Sequence, residues 1–99
     1  MPPIAQASKI APGTTLRVDR AGDAILLCNV DGTIYAIEDT CTHDGEALDG
    51  GPLEGCEIEC PRHGARFDVT TGAALTLPAF LSVKTYVVRR EGDELFIDG

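Results

Sequence analysis

The 99-residue sequence holds no apolar run approaching the ~18 residues of a transmembrane helix, so no helical membrane span is expected. Its start, Met1-Pro2-Pro3-Ile4-Ala5-Gln6, lacks the basic stretch and apolar core of a signal peptide, and a cytoplasmic location is the expectation. Positive charge is in short supply. Eight lysines and arginines stand against sixteen carboxylates, and the formal charge of −8 argues against nucleic acid or an anionic membrane surface as partner. No segment keeps a helical period over about ten residues, and there is no linker, repeat or low-complexity tract. Hydrophobic content of 43% is ordinary for a globular chain, so a single folded domain over residues 1–99, with one core and little surplus, is expected.

What the sequence does contain is a series of short strand signals. Thr14 to Asp19 alternates, with Leu16 and Val18 on one side, and Ala24 to Val30 is a nearly continuous apolar run suited to a strand buried on both faces. Asp31-Gly32 reads as a tight hairpin turn into Thr33 to Ile37. Further strands are expected at 57–59, 65–69, 82–90 and 94–97, with turns at Gly22-Asp23, Thr71-Gly72 and Gly92-Asp93. Short strands joined by glycine-containing turns indicate an all-β sandwich or small barrel.

Histidine is scarce as well, and its placement is informative. Both histidines follow a cysteine closely, in Cys41-Thr42-His43 and Cys60-Pro61-Arg62-His63, with sixteen residues between the two groups. Thiolate and imidazole are the soft and borderline ligands of iron, zinc and copper. Four cysteines could form two disulfides, but cysteines paired with histidines in a reducing compartment point to metal. Both pairs fall on irregular segments, and two loops held by a rigid β scaffold are a sensible way to build a metal site. Zinc motifs usually pair Cys with Cys and His with His, whereas each loop here carries one of each; ligand chemistry alone leaves both tetrahedral zinc and an iron–sulfur centre open. The four cysteines match neither of the common all-cysteine ferredoxin spacings.

The two boxes, C-T-H-D-G at 41–45 and C-P-R-H-G at 60–64, closely resemble the cluster-binding boxes of Rieske [2Fe–2S] proteins. The resemblance runs over nearly the whole chain, including the Val30-Asp31-Gly32 hairpin, R-F-D at 66–68 and the Thr71-Gly72 turn. It implies a Rieske-type antiparallel β-sandwich with a small cluster-binding subdomain, roughly residues 39–68, formed by two loops. Cys41 and Cys60 would then hold one iron of a [2Fe–2S] cluster, and His43 and His63 the other. Gly45 and Gly64 would let the loops approach the inorganic sulfides. Neutral imidazoles in place of two thiolates make such a cluster less negative and easier to reduce than an all-cysteine one.

Departures from the family set the subtype. Respiratory Rieske proteins carry a further cysteine in each box, joined as a disulfide; here those places hold Glu46 and Arg62. Ala65 and Phe67 stand where high-potential members present serine and tyrosine hydroxyls to the cluster sulfurs. A potential toward the low end of the Rieske range of about −150 to +300 mV is therefore expected. Leu77-Pro78-Ala79-Phe80 resembles the loop that covers the cluster in this family.

The function implied is that of a monomeric carrier, itself not an enzyme. It would pass single electrons from an NAD(P)H-dependent flavoprotein reductase to a terminal Rieske non-heme iron oxygenase of a ring-hydroxylating system, through transient contacts. The alternatives are a small Rieske subunit of a nitrite-reductase-type complex and, in a different class, a structural zinc-binding module. Eight carboxylates between Glu38 and Glu59 read equally as a solvated loop or as a docking face for a basic partner, mixed in sign because of Arg62 and Arg66. Cys28, within an apolar run, reads as a small core residue, and Cys56 as a turn residue with nothing nearby to activate it.

Overall fold

A computed structural model describes residues 3–42, 45, 47–62, 64–77 and 81–98. Among these residues, nine strands form two antiparallel sheets: β1 Ala5–Gln6, β2 Thr15–Arg20, β3 Asp23–Val30, β4 Thr33–Glu38, β5 Leu53–Glu54, β6 Glu57–Glu59, β7 Arg66–Asp68, β8 Thr85–Glu91 and β9 Glu94–Asp98. The larger sheet runs β1-β9-β8-β4-β3-β2 and the smaller β5-β6-β7. Among the described residues, helix is limited to a single 3-10 turn, Ala7–Lys9. The all-β expectation holds. The expected strands at 14–19, 24–30, 33–37, 57–59 and 94–97 each appear within about a residue.

β3 organises the molecule. Ile25 to Asn29 are all buried, as the unbroken apolar run requires, because both faces of this strand are covered. Side chains alternate across a strand, so Ile25 and Leu27 point into one apolar layer while Leu26 and Cys28 point into another. The first layer, with Ile34, Ala36, Leu95 and Ile97, fills the curl of the large sheet; Leu16 and Val18 pack against it, on the side their alternation indicated. The second, with Ile37, Cys41, Leu48, Ile58, Cys60 and Phe67, lies between the large sheet and the small one. One hairpin thus carries the scaffold core on one face and the ligand-bearing core on the other.

The turns follow from backbone sterics. Asp31 and Gly32 have φ of +51° and +93°, the signs required by the two-residue hairpin read from Asp-Gly. The β2–β3 turn is placed one residue earlier than expected. Arg20 pairs with Asp23, leaving Ala21 and Gly22 at the tip with φ of +52° and +89°. Asn29 sits buried beneath the other end, its Nδ2 donating to the Ile10 carbonyl at 2.7 Å and its Oδ1 accepting from the Gly32 N–H at 2.7 Å.

Three short features escape sequence reading: β1, the 3-10 turn and β5. The two residues of each of these strands and the single 3-10 turn carry no measurable period, and the partner of β1, β9, is distant in sequence. Residues 82–84, expected to open a long strand, are not strand; β8 begins at Thr85, where pairing with Ile37 starts.

Two substitutions test these constraints in opposite directions. Ala21→Asn places an Asn-Gly pair where both residues have positive φ and should stabilise the protein by about 1 kcal/mol. This raises the melting temperature by roughly 4–8 °C in a thermal scan. A Cβ at Gly51 would lie 1.8 Å from the Glu59 carbonyl oxygen. Gly51→Ala must therefore push the chain off the end of β6, and a loss of about 2–3 kcal/mol is expected in the same measurement.

Candidate metal centre

Cys60 is the first residue after β6, and Cys41 lies three residues beyond the end of β4, so each ligand candidate sits just past a strand anchored in the core. The two cysteines are buried, at 0% and 1% exposure, and belong to one apolar cluster. They form no disulfide. The separation of sixteen residues in sequence is closed by the small sheet, which folds the second loop back against the first.

The loops share one local geometry. Cys41 accepts through its carbonyl from the Gly45 N–H at 2.8 Å, and Cys60 from the Gly64 N–H at 3.0 Å. Each is a five-residue α-turn closed four residues on. Gly45 and Gly64 have φ of +76° and +74°, and a Cβ at either would meet no protein atom within 4 Å. Backbone conformation, more than crowding by other protein atoms, is what calls for glycine there. His43 and His63, together with Asp44 and Glu46, lie outside the described residues.

The surroundings of the second loop absorb the R-F-D segment. The Cys60 N–H donates to the Ala65 carbonyl at 2.7 Å, and both Ala65 and Phe67 are fully buried beside the cysteines. Arg66 points outward into Glu54, Glu57 and Glu59, at 2.6, 3.5 and 3.0 Å. Arg66, one of the two cations in this acidic stretch, is enclosed by three carboxylates that outnumber it. The hydrogen bond it donates to Glu54 is the main cause raising its already high pKa. Asp68 closes the following turn, its Oδ1 accepting from the Thr70 hydroxyl at 2.6 Å and the Thr70 N–H at 2.8 Å. The hydroxyl contact is the main reason its carboxyl titrates below the usual range.

The segment flanking the expected covering loop is tied to the first ligand loop and to β7. Thr42 donates its hydroxyl to the Leu81 carbonyl at 2.7 Å, and the Arg66 N–H donates to the Thr76 hydroxyl at 2.9 Å. Leu77 and Leu81 are largely exposed; Pro78, Ala79 and Phe80 lie outside the described residues. Cys28 is fully buried, and burial, helped by the nearby Asp39, pushes its thiol up to about 12. That is a core residue, as read from its apolar run. Cys56 occupies a half-buried turn position beside the Asp68 carboxylate, a neighbour that does nothing to activate a thiolate.

Sequence reasoning missed Asp39. It was counted only as one of the acidic run, yet its side chain is fully buried, and Oδ1 accepts from the Leu48 and Asp49 N–H groups at 2.8 and 2.9 Å. The one available signal is its place between a buried strand end and Cys41, where a solvated charge is out of keeping.

Two buried thiols at the mouths of matched turns are a fit donor pair for a soft metal centre, and each turn carries a histidine in sequence to complete a mixed set. Comparison with known proteins identifies which centre. The profile of the Rieske [2Fe–2S] domain matches residues 1–87. The chain is 43% identical over 95 residues to the ferredoxin component of biphenyl 2,3-dioxygenase from Rhodococcus jostii, covering 96% of this chain and 89% of that one. It is 46% identical over 90 residues to the ferredoxin component of the naphthalene 1,2-dioxygenase system of Pseudomonas aeruginosa, covering 91% and 86%. Among solved structures, a chain from a complex of reduced oxygenase and oxidized ferredoxin in carbazole 1,9a-dioxygenase superposes with a TM-score of 0.92 at 36% identity, covering 97% of this chain and 99% of that one. A structural zinc module is thereby set aside in favour of one Rieske-type [2Fe–2S] cluster. With its relatives the electron-transfer components of dioxygenase systems and its sheets superposing on theirs, the chain belongs to the Rieske [2Fe–2S] family, in its ferredoxin branch.

Proposed function

We propose that Cys41 and Cys60 hold one iron of the cluster and His43 and His63 the other, and that residues 1–99 form a single-domain, monomeric, cytoplasmic electron carrier. It takes electrons from an NAD(P)H-dependent flavoprotein reductase and delivers them to a terminal ring-hydroxylating oxygenase. The observation that carries this reading is the burial of Cys41 and Cys60 in one apolar cluster, each closing the same turn onto a glycine. The complex of oxygenase with ferredoxin among the structural relatives supports the acceptor. Among the described residues, no helix is long and apolar enough to cross a membrane.

When bound, the cluster supplies a one-electron redox step with no open coordination position for substrate. The chain does the rest. The apolar layer around Cys41, Cys60, Leu48 and Phe67 keeps water from the thiolates, which slows hydrolytic loss of metal and fixes their geometry. Ala65 and Phe67 offer no side-chain hydrogen bond at positions flanking Cys60, and this withholds the donors that would stabilise added negative charge. The potential is accordingly low for the family. At the same end, exposed Leu75, Leu77 and Leu81 provide apolar contact, and the carboxylates around Arg66 provide a negative field. Small apolar contact plus long-range charge suits a partner that must be found quickly and released.

Purified protein should contain about two irons and two acid-labile sulfides per chain, and Cys60→Ser should lose both; one zinc with no sulfide would refute the ligand assignment. Ala65→Ser or Phe67→Tyr should raise the reduction potential in voltammetry, and an unchanged value would remove the hydrogen-bond explanation. Stopped-flow transfer to the oxygenase should slow severalfold as ionic strength rises from about 0.01 to about 0.15 M. Insensitivity to salt would show that the acidic face takes no part in docking.

A further inference from the structure

Asp39 is the buried charge that the electron-carrier role leaves unexplained. Its side chain has no exposed surface, whereas Arg17, its nearest cation, is 45% exposed with Nε 3.6 Å from Oδ2. Oδ1 accepts two backbone N–H groups, from Leu48 and Asp49. Oδ2 makes no hydrogen bond among the described residues, so the ion pair at its long distance is the main compensation on that side. The residue's own N–H donates to the Ala24 carbonyl at 2.9 Å, at the start of β3. Asp39 therefore joins three parts: β2 through Arg17, β3 through Ala24, and the far end of the first ligand loop through Leu48 and Asp49. A carboxylate is a costly way to satisfy two amides, since a buried charge is destabilising unless fully paired.

Resting on the cluster reading above, we propose that Asp39 is a positioning residue that also sets the redox balance. It latches Leu48 and Asp49, beyond the first ligand box, to the chain just before Cys41, and its charge beside the ligand-bearing core disfavours the reduced protein. The geometry gives both effects. The latch closes a loop that begins at Cys41, two residues on, and returns at Leu48, whose side chain packs in the same apolar cluster as Cys41 and Cys60. Asp39 is fully buried, two residues before Cys41, and its Oδ1 binds the N–H of Leu48, a residue of that cluster, so its charge lies against the ligand-bearing core. Reduction adds one negative charge to the same low-dielectric region, where a fixed carboxylate acts with little screening. Arg17, exposed to water, offsets this only in part.

The test uses the holoprotein with its iron and sulfide content measured first. Failure of the wild type to contain a [2Fe–2S] cluster would defeat the ligand reading, independently of Asp39. In loaded protein, Asp39→Asn keeps an oxygen for the Leu48 and Asp49 amides and removes the charge. It should favour reduction about tenfold, a rise of 59 mV for one electron in spectroelectrochemistry. Arg17→Gln leaves the carboxylate less compensated and should shift the balance the other way by a smaller factor. Asp39→Ala should speed hydrogen exchange at the Leu48 and Asp49 amides at least about tenfold. An Asp39→Asn redox equilibrium within twofold of wild type overturns the redox role. If that variant does not load, an unchanged potential in Arg17→Gln overturns it instead. Unchanged exchange at the two amides in Asp39→Ala overturns the latch.

Discussion

The ligand end of this protein depends on a single packing constraint: Cys41 and Cys60 must share one dry layer between two sheets. That layer exists because β3 and β4 are apolar on both faces, so the hairpin can serve as the floor of the ligand core and the wall of the scaffold core at once. Leu26, Cys28 and Ile37 face the cysteines while Ile25, Leu27 and Ala36 face Leu95 and Ile97. Disturbing either layer is transmitted to the other through one strand, since close-packed interiors carry strain well.

Charge is arranged against that dry layer in two ways. Outside, Arg66 gathers Glu54, Glu57 and Glu59 on the outward side of the small sheet, bracing three short strands that have few backbone bonds of their own. The surplus of carboxylates over guanidinium leaves the face negative. Inside, Asp39 is held by two amides and a distant guanidinium. The outer set governs how a partner approaches, because it acts through water. The inner one acts on the core, where screening is weak.

Each Cys–His box is more than its ligands. Cys41 and Cys60 each accept from a glycine N–H four residues on, and Thr42 in the first box and Arg66 in β7 then bond to the segment around 76–81. A short chain with little core to spare thus obtains rigidity at the ligands from turn geometry and backbone bonds.

Much of this could be read before any coordinates. The five strands carrying strong alternation or an unbroken apolar run are where the pattern puts them, because side-chain period is a local property of the chain. The Asp31-Gly32 turn and the two Cys–His boxes are local in the same sense, and they sufficed to indicate the family and its cofactor. The small sheet's edge strand β5, the N-terminal strand β1 and the exact start of β8 were not legible. β1 and the start of β8 are set by partners far along the chain, and β5, a two-residue strand turned back onto β6, is too short to show an alternation.

The sequence by itself determined the donor set and the missing hydroxyls at Ala65 and Phe67, since these are matters of residue identity and spacing. Only the tertiary structure decided which charges matter. Eight carboxylates in one stretch look alike as letters, yet three enclose Arg66 at the surface and one, Asp39, is buried beneath the first ligand loop. The physical reason is that the effect of a charge depends on its burial and its partners, and both are set by long-range packing that no local pattern records.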